Sequence, residues 1–293
     1  MHLLPSTLPD EYIGSVIRRK KELFNLGKLS HREYKIKPPL GYRKTLICFI
    51  RESNPTFKIL ADTATLLPLA KSLGLSMSPL TVVTPSDSWH ICRQCITKDL
   101  ENIGVGYIRR HHLVSSIKVC DLHGLSLDEI CPSCNTPIKK HLNSSFHGCA
   151  KAFNLNKNEN EFQAANIKYA KFVRELLNCK VHNADFSHVR HAIYNQLREL
   201  GYVLDGDIHW KNVCIDVSNY LGEFTHKNKI NFSIGQLNPI TSLGSITKIA
   251  FFAFRTTDAY WQSIREASCI GKAFNDCPLQ ARAMNAFRCS TKF

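Results

Sequence analysis

Apolar residues recur at helical spacing along most of the chain. From residue 8 to 25, LPDEYIGSVIRRKKELFN opens on Pro9 and two acids and then alternates apolar with basic positions. That order suits a helix N-terminus, and Gly27 supplies its stop. Residues 28–45 contain KPPLGY, a connector, because paired prolines cannot donate backbone hydrogen bonds. In FKILADTATLLPLAKSLGL the apolar positions 59, 60, 66, 67, 69 and 73 fit a helical face. Pro68 interrupts it, so the pattern predicts two shorter helices ended by Gly74. Two helices joined in this way fit a helix-turn-helix or an ordinary helical core.

SPLTVVTPSDS (78–88) and NLNKNENE (154–161) read as boundaries on either side of a cysteine-rich middle. Helical spacing resumes in EFQAANIKYAKFVRELLN and in HVRHAIYNQLRELGY, where Val189, Ile193, Leu197 and Leu200 recur at three or four and Gly201 ends the run. HWKNVCIDVSNYLGEF predicts another helix after a short turn, THKNKINFSI (225–234) the wing of a winged helix, and SITKIAFFAFRTTDAYWQSIREA a final helix pair. The last 25 residues show no periodicity. The expected class is mainly α: an N-terminal helical domain (1–84), a double zinc-binding module (85–152), and a helical C-terminal domain (153–293) with a helix-turn-helix or winged-helix element.

Composition sharpens this picture. The chain has 293 residues, 44% of them hydrophobic, which is enough to build a core and to divide it between domains. IAFFAF (249–254) is far shorter than the roughly 20 residues a bilayer span needs, and MHLLPSTLPD lacks the regions of a signal peptide, so a cytoplasmic protein is expected. Lys and Arg number 38 against 24 Asp and Glu, a formal +14, which points to a nucleic-acid partner or another anionic surface. Residues 81–150 carry 7 basic and 6 acidic side chains, so the excess lies in the flanks and the middle resembles a strut between them.

Twelve cysteines in a reducing compartment point to metal or catalysis rather than to disulfides. In WHICRQC, Cys92 and Cys95 form a C-x2-C knuckle, and after 24 intervening residues Cys120 and His123 form C-x2-H. A two-residue spacer lets both side chains of a tight turn reach one ion, and two such turns complete a tetrahedron. Cys131 and Cys134 repeat the knuckle. For its other half His147 and Cys149 are preferred, with His141 the competing choice. Cys48, Cys179, Cys214, Cys269, Cys277 and Cys289 lack partner spacing and read as small buried apolar residues.

Four ligands per site leave no position for water, so both zinc ions are expected to be structural. HExxH and a phosphate-binding loop are absent from the sequence, and HRE at 31–33 is not followed by the P-C-x-x-C of a zinc deaminase, so no enzymatic activity is expected. Arg109, Arg110, His111 and His112 lie between the first knuckles. They suit phosphate contact with His112 packed toward the metal, or else a solvated loop with one satisfied histidine. Candidate DNA contacts are Arg18, Arg19, Lys20, Arg109, Arg110, Lys139, Lys140 and Lys211, with HWKNVCIDVSNYL the favoured recognition helix.

LPDEYIGSVIRR, then W-x2-C-x2-C, Asp99, Gly104, RRHHL, C-x2-HG-x-x-L and a second C-x2-C together resemble the TniQ family, the target-selection proteins of heterotrimeric bacterial transposons. The likeness spans about residues 8–150. QLRELGY followed by GSITKIAFFAF resembles the TnsD branch. The resemblance implies zinc on Cys92, Cys95, Cys120, His123, Cys131 and Cys134, with His147 and Cys149 where relatives often carry C-x-C. It also implies binding to double-stranded DNA at an insertion site and recruitment of an AAA+ ATPase that directs the transposase. Other relatives are adaptors on CRISPR ribonucleoprotein complexes.

Overall fold

The computed structural model describes residues 6–23, 55–75, 88–155, 163–179, 184–222 and 243–275. Helices dominate: α1 (Ile13–Leu23), α2 (Pro55–Ala64), α3 (Leu67–Ser72), α4 (Arg93–Ile103), a short α5 (Phe146–Cys149), α6 (Gln163–Asn178), α7 (Phe186–Glu199), α8 (Trp210–Tyr220), α9 (Leu243–Phe254) and α10 (Thr257–Asn275). Among the described residues β-structure is confined to one hairpin, β1 (Val203–Leu204) with β2 (Asp207–Ile208), and a few isolated bridges. No helix of the described residues is long and apolar enough to cross a membrane.

Local chemistry sets these boundaries. Pro68 stands in the first turn of α3, where its missing amide costs nothing, so the expected break falls at residues 65–66, and the Thr65 hydroxyl accepts from Leu67 N at 3.0 Å. Past the end of α3, Gly74 adopts φ +63°, and a Cβ there would meet the backbone of Phe186 at 2.6 Å. Only glycine allows α3 to close onto the start of α7. Asp185 caps α7, its carboxylate accepting from Ser187 N at 2.7 Å.

Asp205 and Gly206 both have positive φ and join β1 to β2 as a two-residue turn. Asp-Gly is a turn signature for such hairpins, and the hairpin stands where the sequence pattern suggested only a short turn before α8. The anticipated wing, 225–234, lies outside the described residues. Helix α10 runs to Asn275 and so enters the segment that shows no periodicity.

Among the described residues two large apolar cores form, and they do not follow the expected divisions at 84 and 152. The larger joins α2 and α3 to α6, α7, α8, α9 and α10, with Leu69, Tyr169, Phe172, Phe251 and Tyr260 at its centre. Val114 and Ile117 of the cysteine-rich segment insert into it. Tyr260 donates to Ser72 O at 2.7 Å, and Ser72 donates to Leu176 O at 3.1 Å, so α3 is sewn into the C-terminal bundle. The second core holds Ile13 and Val16 of α1 against Trp89, Ile91, Ile96, Ile108, Leu113 and Phe146. Helix α1 thus belongs with the cysteine-rich segment and α3 with the bundle, while α2 lies between the two cores, with Ala61 in the larger and Leu60 and Ala64 in the second. Leu66, Leu67, Leu69, Ala70 and Leu73 of the 55–75 segment are buried in the larger core.

Two candidate metal centres and the basic residues around them

The first cluster is built from a helix start and a tight turn. Cys92 is the N-cap of α4, and Cys95 lies one turn into it, so both sulfurs face the positive end of the helix dipole. Ile91 pairs with Asp128 through two backbone hydrogen bonds of 3.0 and 2.8 Å, which brings the 120–128 hairpin alongside. There Gly124 N donates to Cys120 O and Cys120 N to Leu125 O, both at 2.8 Å, folding Cys120 and His123 back toward the helix. Gly104 in the left-handed region ends α4, donating to Leu100 O.

His123 Nδ1 lies 3.6, 3.3 and 3.6 Å from the sulfurs of Cys92, Cys95 and Cys120, and the Cys95 and Cys120 sulfurs are 3.6 Å apart. A tetrahedron with metal–sulfur bonds near 2.3 Å and a metal–nitrogen bond near 2.0 Å has edges of about 3.5–3.8 Å. The donors therefore stand at the corners of a site of the right size. Their chemistry agrees, because three thiols in one buried spot share protons. Hydrogen bonding to Cys120 pushes the Cys92 thiol up to about 12 and raises Cys95 further, while the same bonds hold Cys120 down. A divalent cation relieves this crowding by replacing the shared protons.

The second cluster comprises Cys131, Cys134, His141 and Cys149, whose ligand atoms lie within 4.8 Å of one another. Asn135, at φ +54°, turns the knuckle so that Asn135 N reaches Cys131 O at 2.9 Å. His141 Nε2 is 3.4 Å from Cys149 Sγ, its Nδ1 donates to Leu142 O at 2.7 Å, and its ring stacks on Phe146 at 4.3 Å. The carbonyl fixes the tautomer and leaves Nε2 as the ligating nitrogen. Hydrogen bonds from Thr136 bring the Cys134 thiol down to about 6, into the range where the ligating thiolate predominates.

His147, preferred over His141 on spacing, is corrected here. It is exposed, and its Nε2 sits 2.8 Å from Gly104 O. In α5 residues 147 and 149 point to different sides, so only Cys149 can face the knuckle. Both clusters are thus Cys3His sets able to hold a metal ion.

Helix α1 holds the second cluster in place. Arg18 donates to the carbonyls of Ile138, Lys139 and His141 and lies 4.3 Å from the centre of the Trp89 ring. Glu22 accepts from Asn143 N and Ser144 N at 2.8 and 2.7 Å. The histidine loop is therefore gripped from both sides.

Several residues expected on DNA are engaged inside the protein instead. Arg19 pairs with the fully buried Glu11 at 2.7 Å, and Lys20 is buried. Arg109 forms a bidentate pair with Asp99 at 2.6 and 2.8 Å. Arg110, 4% exposed, reaches Asp62 O, Thr65 O, Leu177 O and Asn178 Oδ1. A guanidinium matches carboxylates and grouped carbonyls as well as it matches phosphate, so sequence alone could not separate the two roles. His111 and His112 are also buried, against the solvated-loop reading, and burial pushes the His112 imidazole down to about 4.

Lys139, Lys140 and Lys211 are exposed. Arg190 and Arg198, which the sequence reading did not single out, are also exposed on α7 and are aligned by their eight-residue spacing with Tyr194, whose hydroxyl donates to Gly206 O of the hairpin. Their signal in the sequence is an i, i+4, i+8 run that flanks the apolar stripe of the same helix. Neither the family models nor the curated proteins compared with the chain match it.

Proposed function

We propose that the chain is a non-catalytic, DNA-binding target-site selector of the TniQ type, TnsD-like, acting in the bacterial cytoplasm at the nucleoid. Two structural zinc ions, on Cys92, Cys95, Cys120 and His123 and on Cys131, Cys134, His141 and Cys149, hold its middle together. The partners are double-stranded DNA and an AAA+ ATPase regulator of the transposase. The observation that carries this reading is the α7–hairpin–α8 unit. Arg190 and Arg198 on α7 and Lys211, Asn212, Ile215 and Asn219 on α8 are exposed there, while Val189, Ile193, Val213 and Val217 face the core. A basic and amide-bearing helix surface is what phosphate contact and base-edge readout require. The two four-donor clusters support a scaffold role, since four protein donors suffice to fill a tetrahedral zinc site without solvent.

The internal engagement of Arg18, Arg19, Arg109 and Arg110 favours a second reading, an adaptor between a CRISPR ribonucleoprotein and the same ATPase, because it removes basic groups from the surface. Salt-titrated binding of the purified chain to attachment-site and random duplexes, with and without the guide complex, separates them. A selector retains a sequence preference alone. An adaptor binds only through the complex, and a chain that binds neither contradicts both readings.

A further inference from the structure

Beside the first cluster, on the side facing the helical bundle, lies a group of polar atoms with no assigned purpose. His111 and His112 belong to the 3-10 turn His111–Leu113, and Asp121 follows Cys120 directly. His111 and His112 are each 1% exposed, and so is the Asp121 side chain. None of His111 Nδ1 and Nε2, His112 Nε2 and the two Asp121 oxygens has a well-aligned hydrogen bond, although Asp121 Oδ2 is ion-paired with Arg174 and Asp121 Oδ1 faces His111 Nε2. Buried imidazole nitrogens left without a well-aligned partner are uncommon in a folded interior, where buried polar groups are satisfied by protein, water or an ion.

We propose that His111, His112 and Asp121 form a third cation site, for a divalent first-row transition ion. One ligand atom from each lies within 4.8 Å of the others. His111 Nε2 and Asp121 Oδ1 are 3.2 Å apart without the alignment of a hydrogen bond. Two donors each about 2.1 Å from one ion, at angles between octahedral and tetrahedral, stand about 3.0–3.4 Å apart. Arg174 Nε pairs with Asp121 Oδ2 at 2.8 Å, orienting the carboxylate and leaving Oδ1 for the ion. Two imidazoles and a carboxylate select transition ions of intermediate softness and contain no thiolate, unlike the two cysteine clusters. Arg174 belongs to α6, so the ion would tie the cysteine-rich segment to the bundle.

The test is a metal count on the full-length wild type, His111→Gln and Asp121→Asn, all first-row transition ions measured against protein after dialysis, with parallel cobalt loading. The proposal expects both variants to hold one ion fewer per chain than the wild type, with thiolate-to-cobalt charge-transfer absorption unchanged. Equal counts in all three proteins overturn it and leave a buried water as the occupant. Should the variants fail to fold, the wild-type cobalt titration decides. Uptake of an equivalent that adds no thiolate band supports the site, and uptake that stops when that band saturates overturns it. Loss of the thiolate band itself would instead indict the two cysteine clusters, which the difference in counts does not depend on.

Discussion

Removing the Arg110 side chain distinguishes a structural arginine from a DNA contact. Its guanidinium sits where two helices end: Nη1 donates to Asp62 O at 2.8 Å and Thr65 O at 3.2 Å beside the C-terminus of α2, and Nη2 to Leu177 O at 3.2 Å and Asn178 Oδ1 at 2.7 Å at the C-terminus of α6. Asp10 Oδ1 lies 3.6 Å from Nε. A buried cation here satisfies orphan carbonyls and meets the negative ends of two helix dipoles. Arg110→Ala leaves those four acceptors and a carboxylate without it. Each loss is worth about 1–3 kcal/mol when water cannot enter, and partial hydration brings the whole to about 3–5 kcal/mol. Arg110→Lys recovers less than half, because one ammonium cannot span both helix ends. Urea unfolding followed by far-ultraviolet circular dichroism reads this directly: at a slope of about 3 kcal/mol/M the midpoint falls by about 1 M or more. An unchanged midpoint for Arg110→Ala, together with a weaker salt dependence of DNA binding, would refute the argument and return Arg110 to the DNA surface.

Other outcomes follow from the same geometry. His141→Ala removes one ligand of the second cluster and lowers bound metal by one ion per chain, whereas His147→Ala leaves the count intact; the reverse result would restore the ligand set favoured by spacing. Asp185→Ala lowers stability by about 1 kcal/mol through loss of the α7 cap. The hydrogen bonds from Ser187 hold the Asp185 carboxyl below its ordinary value, so its contribution is present above the unfolded pKa and is lost as pH falls through the folded one. Unfolding at pH 7 and pH 3 should therefore show the Asp185→Ala deficit at pH 7 and a smaller one at pH 3. Leu69→Ala, at a fully buried position, costs about 2–5 kcal/mol, while Leu204→Ala, at an exposed one, stays within about 0.5 kcal/mol. Lys211→Ala combined with Arg190→Ala should leave the unfolding midpoint unchanged and reduce the salt slope of duplex binding by about 2.

The helices were legible because their cause is local. Periodic apolar positions, Pro68, Gly74 and Gly201 each act within a turn of themselves, and the helices begin and end near them. Cys92, Cys95, Cys120 and His123 were legible for the same reason, since each pair is made by one tight turn. The choice between His141 and His147 was not, because it depends on Arg18 and Glu22, more than a hundred residues away, gripping the loop that carries His141. Nor were the roles of the arginines. Arg19 and Arg109 find Glu11 and Asp99 eight and ten residues away, but Arg110 finds carbonyls of α2 and α6 that only tertiary packing brings together. The expected domain divisions failed to match the cores for a related reason: linkers are marked by composition, whereas which side of a linker a helix packs on is decided by its apolar face. Leu69 and Leu73 of the 55–75 segment find α6 and α7, and Val16 of α1 finds Trp89 and Ile108.

The central claim, that cysteine and histidine groups enclose two ions whose role is architectural, is tested most directly by titrating metal-free protein with cobalt while following thiolate charge-transfer absorption and far-ultraviolet circular dichroism together. The account predicts that the thiolate band rises through two equivalents and that native helicity returns with it. A protein that shows no thiolate band, or that is fully folded before any metal is added, contradicts it.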